Sequence, residues 1–226
     1  MNKYFKQKIY SNGDIISMII NDLYKKNKYK NILFIRTSTT GMWLDKLLLN
    51  NNVTRILYKV DKIDTKFTFH KSTTIIDSND LENTLNLLNN KYDLICIDSF
   101  HEYDISKRDF QVISQFLTET GIIFSHDCYP SNKEMSTPNY RFGDWCGETY
   151  IAFTELAYNN PDMYCGILQI DTGIGIISKL QLEFLTNTLD RTKQEQLLLL
   201  HKNNNDAYTY FANNSKDIIN SYRQII

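Results

Sequence analysis

Short apolar runs alternate along the first 180 residues with segments whose apolar residues recur at helical spacing. One such segment is 81–88, where leucines recur and Asn79 or Asp80 is a suitable helix cap. Regular alternation of strands and helices predicts an α/β domain with a mostly parallel sheet. The runs that read as strands are 31–36, 53–60, 72–76, 93–97 and 122–124.

The pattern changes after residue 160. Two strands are predicted at 164–170 and 173–178, and the tight turn Asp171-Thr172-Gly173 between them favours an antiparallel hairpin. We therefore expect a mostly parallel sheet of seven strands with helices on both faces and this antiparallel hairpin near its C-terminal end. Gly121 is expected to end the helix before the fifth strand.

Two regions flank the strands. A helix is predicted over 14–26, and we assign residues 1–179, with that helix, to one domain. From residue 180 the chain is leucine-rich with a helical pattern to residue 201, and residues 180–226 are expected to form a helical C-terminal extension. An amphipathic extension packs on its own domain or on a second copy, so a homodimer is one expectation.

Composition limits the classes of function. The 25 basic and 26 acidic residues give a net charge of -1, which argues against a nucleic-acid platform. The 4 cysteines show no C-x-x-C spacing, which favours a reduced cytoplasmic protein. No apolar run reaches the roughly 18 residues of a membrane span. We expect a small-molecule partner, without nucleic acid or membrane.

Polar side chains follow two neighbouring strands. Asp98 and His101 come after the fourth strand, and His126 and Asp127 come after the fifth. Ligands of open parallel sheets bind beyond the carboxyl ends of the strands, so these four residues are candidate catalytic groups. Imidazole is a suitable base near neutral pH, and a carboxylate can orient it or bind a cation. His101 can alternatively cap the helix that begins near Tyr103.

Three other segments are candidates for binding. The loop 37–41 lies between a strand and a predicted helix, as at the opening of nucleotide-binding domains. Asp61 follows the second strand, where it either accepts hydrogen bonds from ribose hydroxyls or starts a turn. The long loop 129–145 is rich in aromatic residues and arginine, which favours a pocket wall. Its candidate substrate-binding residues are Tyr129, Arg141 and Trp145.

The order of strands and four motifs resemble class I S-adenosylmethionine-dependent methyltransferases, in the small-molecule O-methyltransferase branch. The motifs are IDSFHEYDISKRDF, GIIFSHDCYP, WCGETYIAF and IDTGIGIIS, and the resemblance covers residues 31–179. It implies a Rossmann-like methyltransferase fold.

The resemblance also implies a cofactor site. S-adenosylmethionine would lie with its methionine part beside Thr37, Ser38 and Gly41, its ribose on Asp61, and its adenine near Asp77 and Ser78. Asp98 would lie between cofactor and acceptor. In metal-dependent members the positions of Asp98 and Asp127 each supply an oxygen ligand to Mg²⁺, and an amide or acid follows the second. Cys128 stands there in this chain.

The implied activity is methyl transfer to a hydroxyl of a small polar acceptor, such as a sugar or nucleotide-linked sugar, which would be carbohydrate modification. Phe34 and Arg36 stand where the family has an acidic residue and a glycine. The alternative is therefore a catalytically inactive, methyltransferase-like binding or scaffold protein. A nicotinamide-dependent oxidoreductase is disfavoured, because no G-x-G-x-x-G follows the first strand.

Overall fold

The computed structural model of the protein describes residues 29–36, 52–58, 74–78, 80–182 and 185–222, together with three helical positions at 18, 21 and 22. The rest of the helix predicted over 14–26 lies outside the described residues. The strands are β1 (Asn31–Arg36), β2 (Asn52–Tyr58), β3 (Thr74–Ser78), β4 (Tyr92–Asp98), β5 (Leu117–Ser125), β6 (Tyr164–Leu168), β7 (Ile174–Ser178) and β8 (Ser221–Tyr222). The helices are α1 (Leu81–Leu88), α2 (Tyr103–Gln115), α3 (Thr149–Asn159), α4 (Arg191–Lys202) and α5 (Ala207–Ile219).

The strands form one sheet in the order β3-β2-β1-β4-β5-β7-β6-β8. All neighbours are parallel except β7, which runs antiparallel to both β5 and β6. The predicted α/β fold with a largely parallel sheet and a C-terminal antiparallel hairpin is therefore confirmed. The described strands number eight rather than the predicted seven, because the two-residue β8 adds to the edge beside β6.

The sheet is buried on both faces. Leu33 and Ile35 of β1 join one apolar cluster, while Ile32 and Phe34 join a second cluster, as the alternation of side chains along a strand requires. All five described helices contribute to the first cluster. The helix predicted after the loop 37–41, over residues 42–49, lies outside the described residues, as does most of the helix predicted over 14–26.

Strand order determines where a ligand crevice forms. The chain moves outward from β1 in one direction to β2 and β3, and in the other to β4 and β5, so the order reverses between β1 and β4. Arg36 at the end of β1 pairs in register with Asp98 at the end of β4. The backbone N–H of His126 donates to the carbonyl of Ile97 at 3.0 Å, which places the chain leaving β5 beside Asp98. The candidate residues therefore meet at the carboxyl edge beside this switch point.

The prediction that Gly121 ends a helix was wrong. Helix α2 ends at Gln115, and Gly121 lies inside β5, which begins at Leu117. The pairing of β4 and β5 shifts register between Tyr92 and Leu94, and a Cβ on Gly121 would lie 2.6 Å from Leu117 Cδ1. Glycine leaves room here for the Leu117 side chain of the same irregular strand, a local packing requirement that resembles a helix stop in the sequence.

The helical pattern from residue 180 was assigned too far towards the N-terminus. Thr186 instead forms a bridge with Cys165 of β6, and α4 begins only at Arg191, where the Asp190 carboxylate accepts from the Lys193 N–H at 3.0 Å. Threonine and asparagine at 186–188 favour turns over helix, because their side chains compete for backbone hydrogen bonds.

Helices α4 and α5 are packed onto the rest of the fold. Leu197 and Phe211 lie in the first core cluster, and the Phe211 ring centroid is 4.6 Å from that of Tyr150 in α3. His201 Nδ1 lies 3.2 Å from a carboxylate oxygen of Glu148, just before α3. The C-terminal helices thus cover α3 in the same chain. A homodimer through this region stays a prediction.

Replacing Leu197 with alanine is expected to destabilise the fold by about 3 kcal/mol, because it removes a fully buried side chain and leaves a cavity. Leu199, on the same helix, is half-exposed, so Leu199→Ala is a matched control with an expected effect below about 1 kcal/mol. Chemical denaturation measures both. Equal stabilities of the two variants would contradict the packing of α4 on the core.

Candidate functional site

Three strand ends converge on one polar cluster. Asp98 ends β4, His126 and Asp127 follow β5, and the turn before β7 supplies Asp171. Asp98 and Asp127 are almost completely buried. Asp127 has a φ of 58°, in the left-handed region that aspartate tolerates better than most residues. Three groups predicted from the sequence, Asp98, His126 and Asp127, are therefore brought together.

His101 lies between the two acids. Its Nε2 is 3.2 Å from Asp98 Oδ1 and 2.9 Å from Asp127 Oδ2, and 13% of its side chain is exposed. Its Nδ1 lies 2.6 Å from the carbonyl oxygen of Trp145. A carbonyl only accepts, so Nδ1 carries a proton and donates it to Trp145. The helix-cap alternative was wrong, because α2 is preceded by Glu102 and has no side-chain cap.

The backbone around His101 is held from two sides. The Ser99 hydroxyl donates to the buried Asp109 carboxylate at 2.6 Å. On the other side the Glu148 N–H donates to the His101 carbonyl at 2.7 Å, next to Gly147 at φ 53°. A Cβ on Gly147 would lie 2.2 Å from that carbonyl oxygen, so only glycine permits this approach.

His126 is hydrogen-bonded at both ring nitrogens. Its Nδ1 lies 3.1 Å from Asp127 Oδ2, and its Nε2 lies 3.2 Å from Asp171 Oδ2 and 3.4 Å from the Thr172 hydroxyl. Sequence reasoning identified Asp171 and Thr172 only as a hairpin turn. The sequence did contain a signal for their position, namely the predicted hairpin. When the second strand of a hairpin pairs antiparallel with β5, the hairpin turn lies beside the end of β5.

Charge pairing dominates the electrostatics of the cluster. Burial lowers the pKa of His101, but the Asp127 and Asp98 carboxylates more than offset it and raise that pKa to about 10. Burial likewise opposes charge on His126, yet Asp127, Asp171 and Asp98 raise its pKa well above the ordinary value. Burial alone would raise the pKa of Asp127, but the two imidazoles hold it well below its usual range. The cluster is therefore a compact set of opposite charges.

The predicted substrate-binding residues surround the cluster in different ways. The Trp145 ring is buried, with its centroid 5.1 Å from that of His101, and its indole N–H donates to the Thr137 carbonyl at 2.7 Å. Arg141 donates to the Glu134 carbonyl at 3.0 Å and is partly exposed. The Tyr129 ring packs 5.7 Å from Phe211. Of these, Trp145 contacts the cluster directly, through its carbonyl.

Comparison with known proteins identifies the family. The profile of a family described as a methyltransferase domain matches residues 15–128, just over half of the chain. The chain belongs to this methyltransferase family. No curated protein sequence matches it.

Solved structures share the methyltransferase fold. A Staphylococcus aureus protein provisionally named caffeoyl-CoA O-methyltransferase has a TM-score of 0.52 and 20% identity, over 77% of this chain and 86% of that chain. Cofactor-bound Rv0187 from MTB has a TM-score of 0.50 and 10% identity, over 79% of this chain and 85% of that chain. The predicted class I methyltransferase fold is therefore confirmed. In the part of the methyltransferase that the structure describes, no helix is long and apolar enough to cross a membrane.

The cofactor side of this methyltransferase is only partly described. Thr37, Ser38, Gly41 and Asp61 lie outside the described residues. Asp77 and Ser78 end β3 on the same carboxyl edge as Asp98. Among the residues that depart from the family pattern, Phe34 is buried within β1, with the Arg55 guanidinium 5.5 Å from its ring centroid. Arg36 is the last residue of β1.

The residues at the metal position fit Mg²⁺ poorly. Asp98, His101 and Asp127 each offer one ligand atom, and these three atoms lie within 4.8 Å of one another. One of the three is an imidazole nitrogen, whereas Mg²⁺ prefers oxygen ligands. The Cys128 thiol donates to the carbonyls of Ser125 and His126, at 3.6 and 3.5 Å, and burial raises its pKa to about 12. It therefore does not replace the amide or acid of metal-dependent members.

Asp109 is expected to make the stability of the methyltransferase depend on pH. Burial raises the pKa of this carboxyl from 3.8 to about 6, although Ser99 and Arg108 oppose the shift. Because the folded carboxyl binds its proton more tightly than the unfolded one, the free energy of unfolding should rise as pH falls from about 6 to about 4, by about 3 kcal/mol. Asp109→Asn should lack this component.

Urea unfolding at several pH values between about 4 and 7 measures this component. Asp104→Asn, which changes an exposed acid of the same helix, is the control and should retain it. If the free energy of unfolding changes with pH in the same way in Asp109→Asn and in the wild type, the assignment of this pH dependence to Asp109 is wrong.

Proposed function

We propose that this methyltransferase transfers the methyl group of S-adenosylmethionine to a hydroxyl of a small polar acceptor, a sugar or nucleotide-linked sugar. The observation that carries the proposal is the acid and imidazole cluster of Asp98, His101, His126 and Asp127 beyond the ends of β4 and β5. It lies at the carboxyl edge of a methyltransferase sheet, where ligands of open sheets bind.

The cofactor would bind over the ends of β1, β2 and β3, with its sulfonium towards Asp98. This assignment rests on the switch in strand order between β1 and β4 and on the acidic and hydroxyl residues predicted at those ends. It assigns the methionine part to Thr37, Ser38 and Gly41, the ribose to Asp61, and the adenine to Asp77 and Ser78.

The acceptor would bind on the other side of Asp98, against the loop from Tyr129 to Trp145. Tyr140, Phe100 and Trp145 form an aromatic group there, with ring centroids 5.3 to 6.2 Å apart. Tyr140, the exposed ring of the three, would offer a platform for the apolar side of a sugar ring, with the buried Phe100 and Trp145 supporting it. Arg141, partly exposed on the same loop, suits the phosphate of a nucleotide-linked sugar.

The transfer requires in-line positioning of the hydroxyl and removal of its proton, and positioning supplies most of the acceleration. Because 13% of the His101 side chain is exposed, the acceptor would meet His101 first, next to its carboxylate partners Asp98 and Asp127. Both ring nitrogens of His126 are hydrogen-bonded to carboxylates, so its role would be to orient Asp127.

A panel of hydroxyl acceptors tests the proposal. The intact protein is incubated with methyl-labelled S-adenosylmethionine and free sugars, nucleotide-linked sugars or small phenols, and products are identified by mass spectrometry. We expect a methyl ether on a sugar hydroxyl, which is lost in Asp98→Asn. Transfer only to phenols would refute the sugar assignment. Cofactor binding without transfer to any acceptor would favour the inactive binding or scaffold protein.

A further inference from the structure

We propose that His201, on the C-terminal helix α4, is a positioning residue that holds His101 in place for methyl transfer. His201 lies beyond residues 15–128, which the methyltransferase family profile matches. The proposal rests on the proposed function in taking His101 as part of the reaction site. The contacts that support it involve neither cofactor nor acceptor.

Helix α4 is a fixed platform for His201. Leu197 is completely buried in the first core cluster. His201 follows Leu197 by four residues, which places both side chains on the same face of the helix. One turn earlier, the buried Gln194 side chain donates to the Ile218 carbonyl of α5 at 2.9 Å. The core therefore sets the position from which His201 projects.

The His201 ring packs against the start of α2. Its centroid lies 4.2 Å from that of the Tyr103 ring. Tyr103 is the first residue of α2 and follows His101 by two residues. The Tyr103 hydroxyl donates to the Glu155 carboxylate of α3 at 2.6 Å, which holds the far end of this ring. His201 thus contacts the chain immediately after His101.

His201 also contacts the segment that holds His101 from the other side. Its Nδ1 lies 3.2 Å from Glu148 Oε1, and both side chains are partly buried. Glu148 precedes α3 but its side chain does not cap that helix. The Glu148 N–H donates to the His101 carbonyl at 2.7 Å, and the Trp145 carbonyl accepts from His101 Nδ1 at 2.6 Å. The contact between His201 and Glu148 therefore supports the segment that fixes both the backbone and the ring of His101.

Methyl transfer is sensitive to the position of His101. Its Nε2 lies 2.9 Å from Asp127 Oδ2 and 3.2 Å from Asp98 Oδ1, and a shift of about 1 Å would break both contacts. Misplacement of that size costs on the order of 10²-fold in rate. Loss of the His201 contacts should lower turnover more than cofactor binding, because the cofactor is assigned to the other side of Asp98.

Kinetics of the intact protein, with S-adenosylmethionine and the acceptor that the panel identifies, test the proposal. His201→Phe keeps a ring against Tyr103 but removes the nitrogen beside Glu148. It should lower kcat about 10-fold and leave the KM for S-adenosylmethionine unchanged. His201→Asn retains an N–H donor near the position of Nδ1, so it should recover most of the lost activity.

Tyr158→Phe is the matched control, because it removes a different polar contact between α3 and α4. The Tyr158 hydroxyl donates to the Glu195 carboxylate at 2.6 Å. Its ring, which lies 4.3 Å from the Arg191 guanidinium, is retained in the variant. We expect wild-type kcat. Equal decreases in kcat in His201→Phe and Tyr158→Phe would show that α4 acts only through the stability of the fold, and would overturn the proposal.

Nuclear magnetic resonance of the histidine side chains gives a readout that needs no acceptor. The Nδ1–H of His101, bonded to the Trp145 carbonyl, should give a ring N–H signal that is absent in His101→Asn. Its exchange with water should be at least ~10-fold faster in His201→Phe and unchanged in Tyr158→Phe. Faster exchange in His201→Phe, with no methyl transfer by the wild type, would refute the proposed function and leave the positioning of His101 intact.

Glu148→Ala removes the same contact from the other side, so the proposal remains testable if His201→Phe does not fold. This variant should also accelerate exchange of the His101 ring N–H at least ~10-fold. Exchange at the wild-type rate in a folded His201→Phe or Glu148→Ala variant would show that His201 does not position His101.

Discussion

Replacing Asp127 with asparagine is expected to reduce methyl transfer at least ~100-fold while the chain stays folded, because catalysis depends on preorganised charge in this crevice. The carboxylate contacts His101 Nε2 at 2.9 Å and His126 Nδ1 at 3.1 Å. Asparagine has nearly the same shape and tolerates the left-handed backbone at this position. The variant therefore removes the charge that holds both imidazoles and little else.

Asp171→Asn is the matched control. Asp171 also has a left-handed backbone and contacts His126, but it is partly exposed and does not contact His101. We expect a decrease in kcat/KM of no more than about 10-fold, an order of magnitude below the effect at Asp127. Equal activity of Asp127→Asn and the wild type, with the acceptor that the panel identifies, would place the chemistry elsewhere.

Gly147→Ala is expected to destabilise the fold by about 4 kcal/mol, the sum of about 1 kcal/mol for the left-handed backbone and about 3 kcal/mol for the clash. The added Cβ would lie 2.2 Å from the His101 carbonyl oxygen and 2.8 Å from its Cβ. The loop must move, which breaks the hydrogen bond from the Glu148 N–H and displaces His101 from the two acids.

Gly143→Ala separates the clash from the backbone strain. Gly143 also has a positive φ, of 96°, but a Cβ there meets no atom within 4 Å. Its expected destabilisation is about 1 kcal/mol, with activity retained. Thermal and chemical unfolding compare the two variants. If they are equally stable, the close packing of Gly147 against His101 is not what holds this loop.

Local patterns were sufficient to predict much of the fold. The apolar runs at β1, β4 and β5 and the leucines of α1 are signals within a few residues, and Asp80 caps α1 as predicted, accepting from the Asn83 N–H at 3.0 Å. Because parallel strands place their carboxyl ends on one edge, the four cluster residues could also be predicted from their position after β4 and β5.

Features that depend on tertiary contacts could not be predicted. Gly147 has its role because His101, distant in the sequence, approaches it closely, and a single glycine in the sequence does not reveal its neighbour. Asp171 reaches His126 only because β7 pairs with β5. The chain from residue 180 carries a leucine-rich helical pattern, but Thr186 pairs with Cys165 instead, and α4 begins only at Arg191.

Calorimetric titration of the intact protein with S-adenosylmethionine tests the central claim most directly. The strand order that forms the crevice and the methyltransferase family of the chain both predict binding of one cofactor per chain. S-adenosylhomocysteine should compete for the same site. We expect a dissociation constant below about 1 mM, the upper end of typical enzyme KM values. Absence of binding at that concentration, by a chain shown to be folded, would contradict methyl transfer as its function.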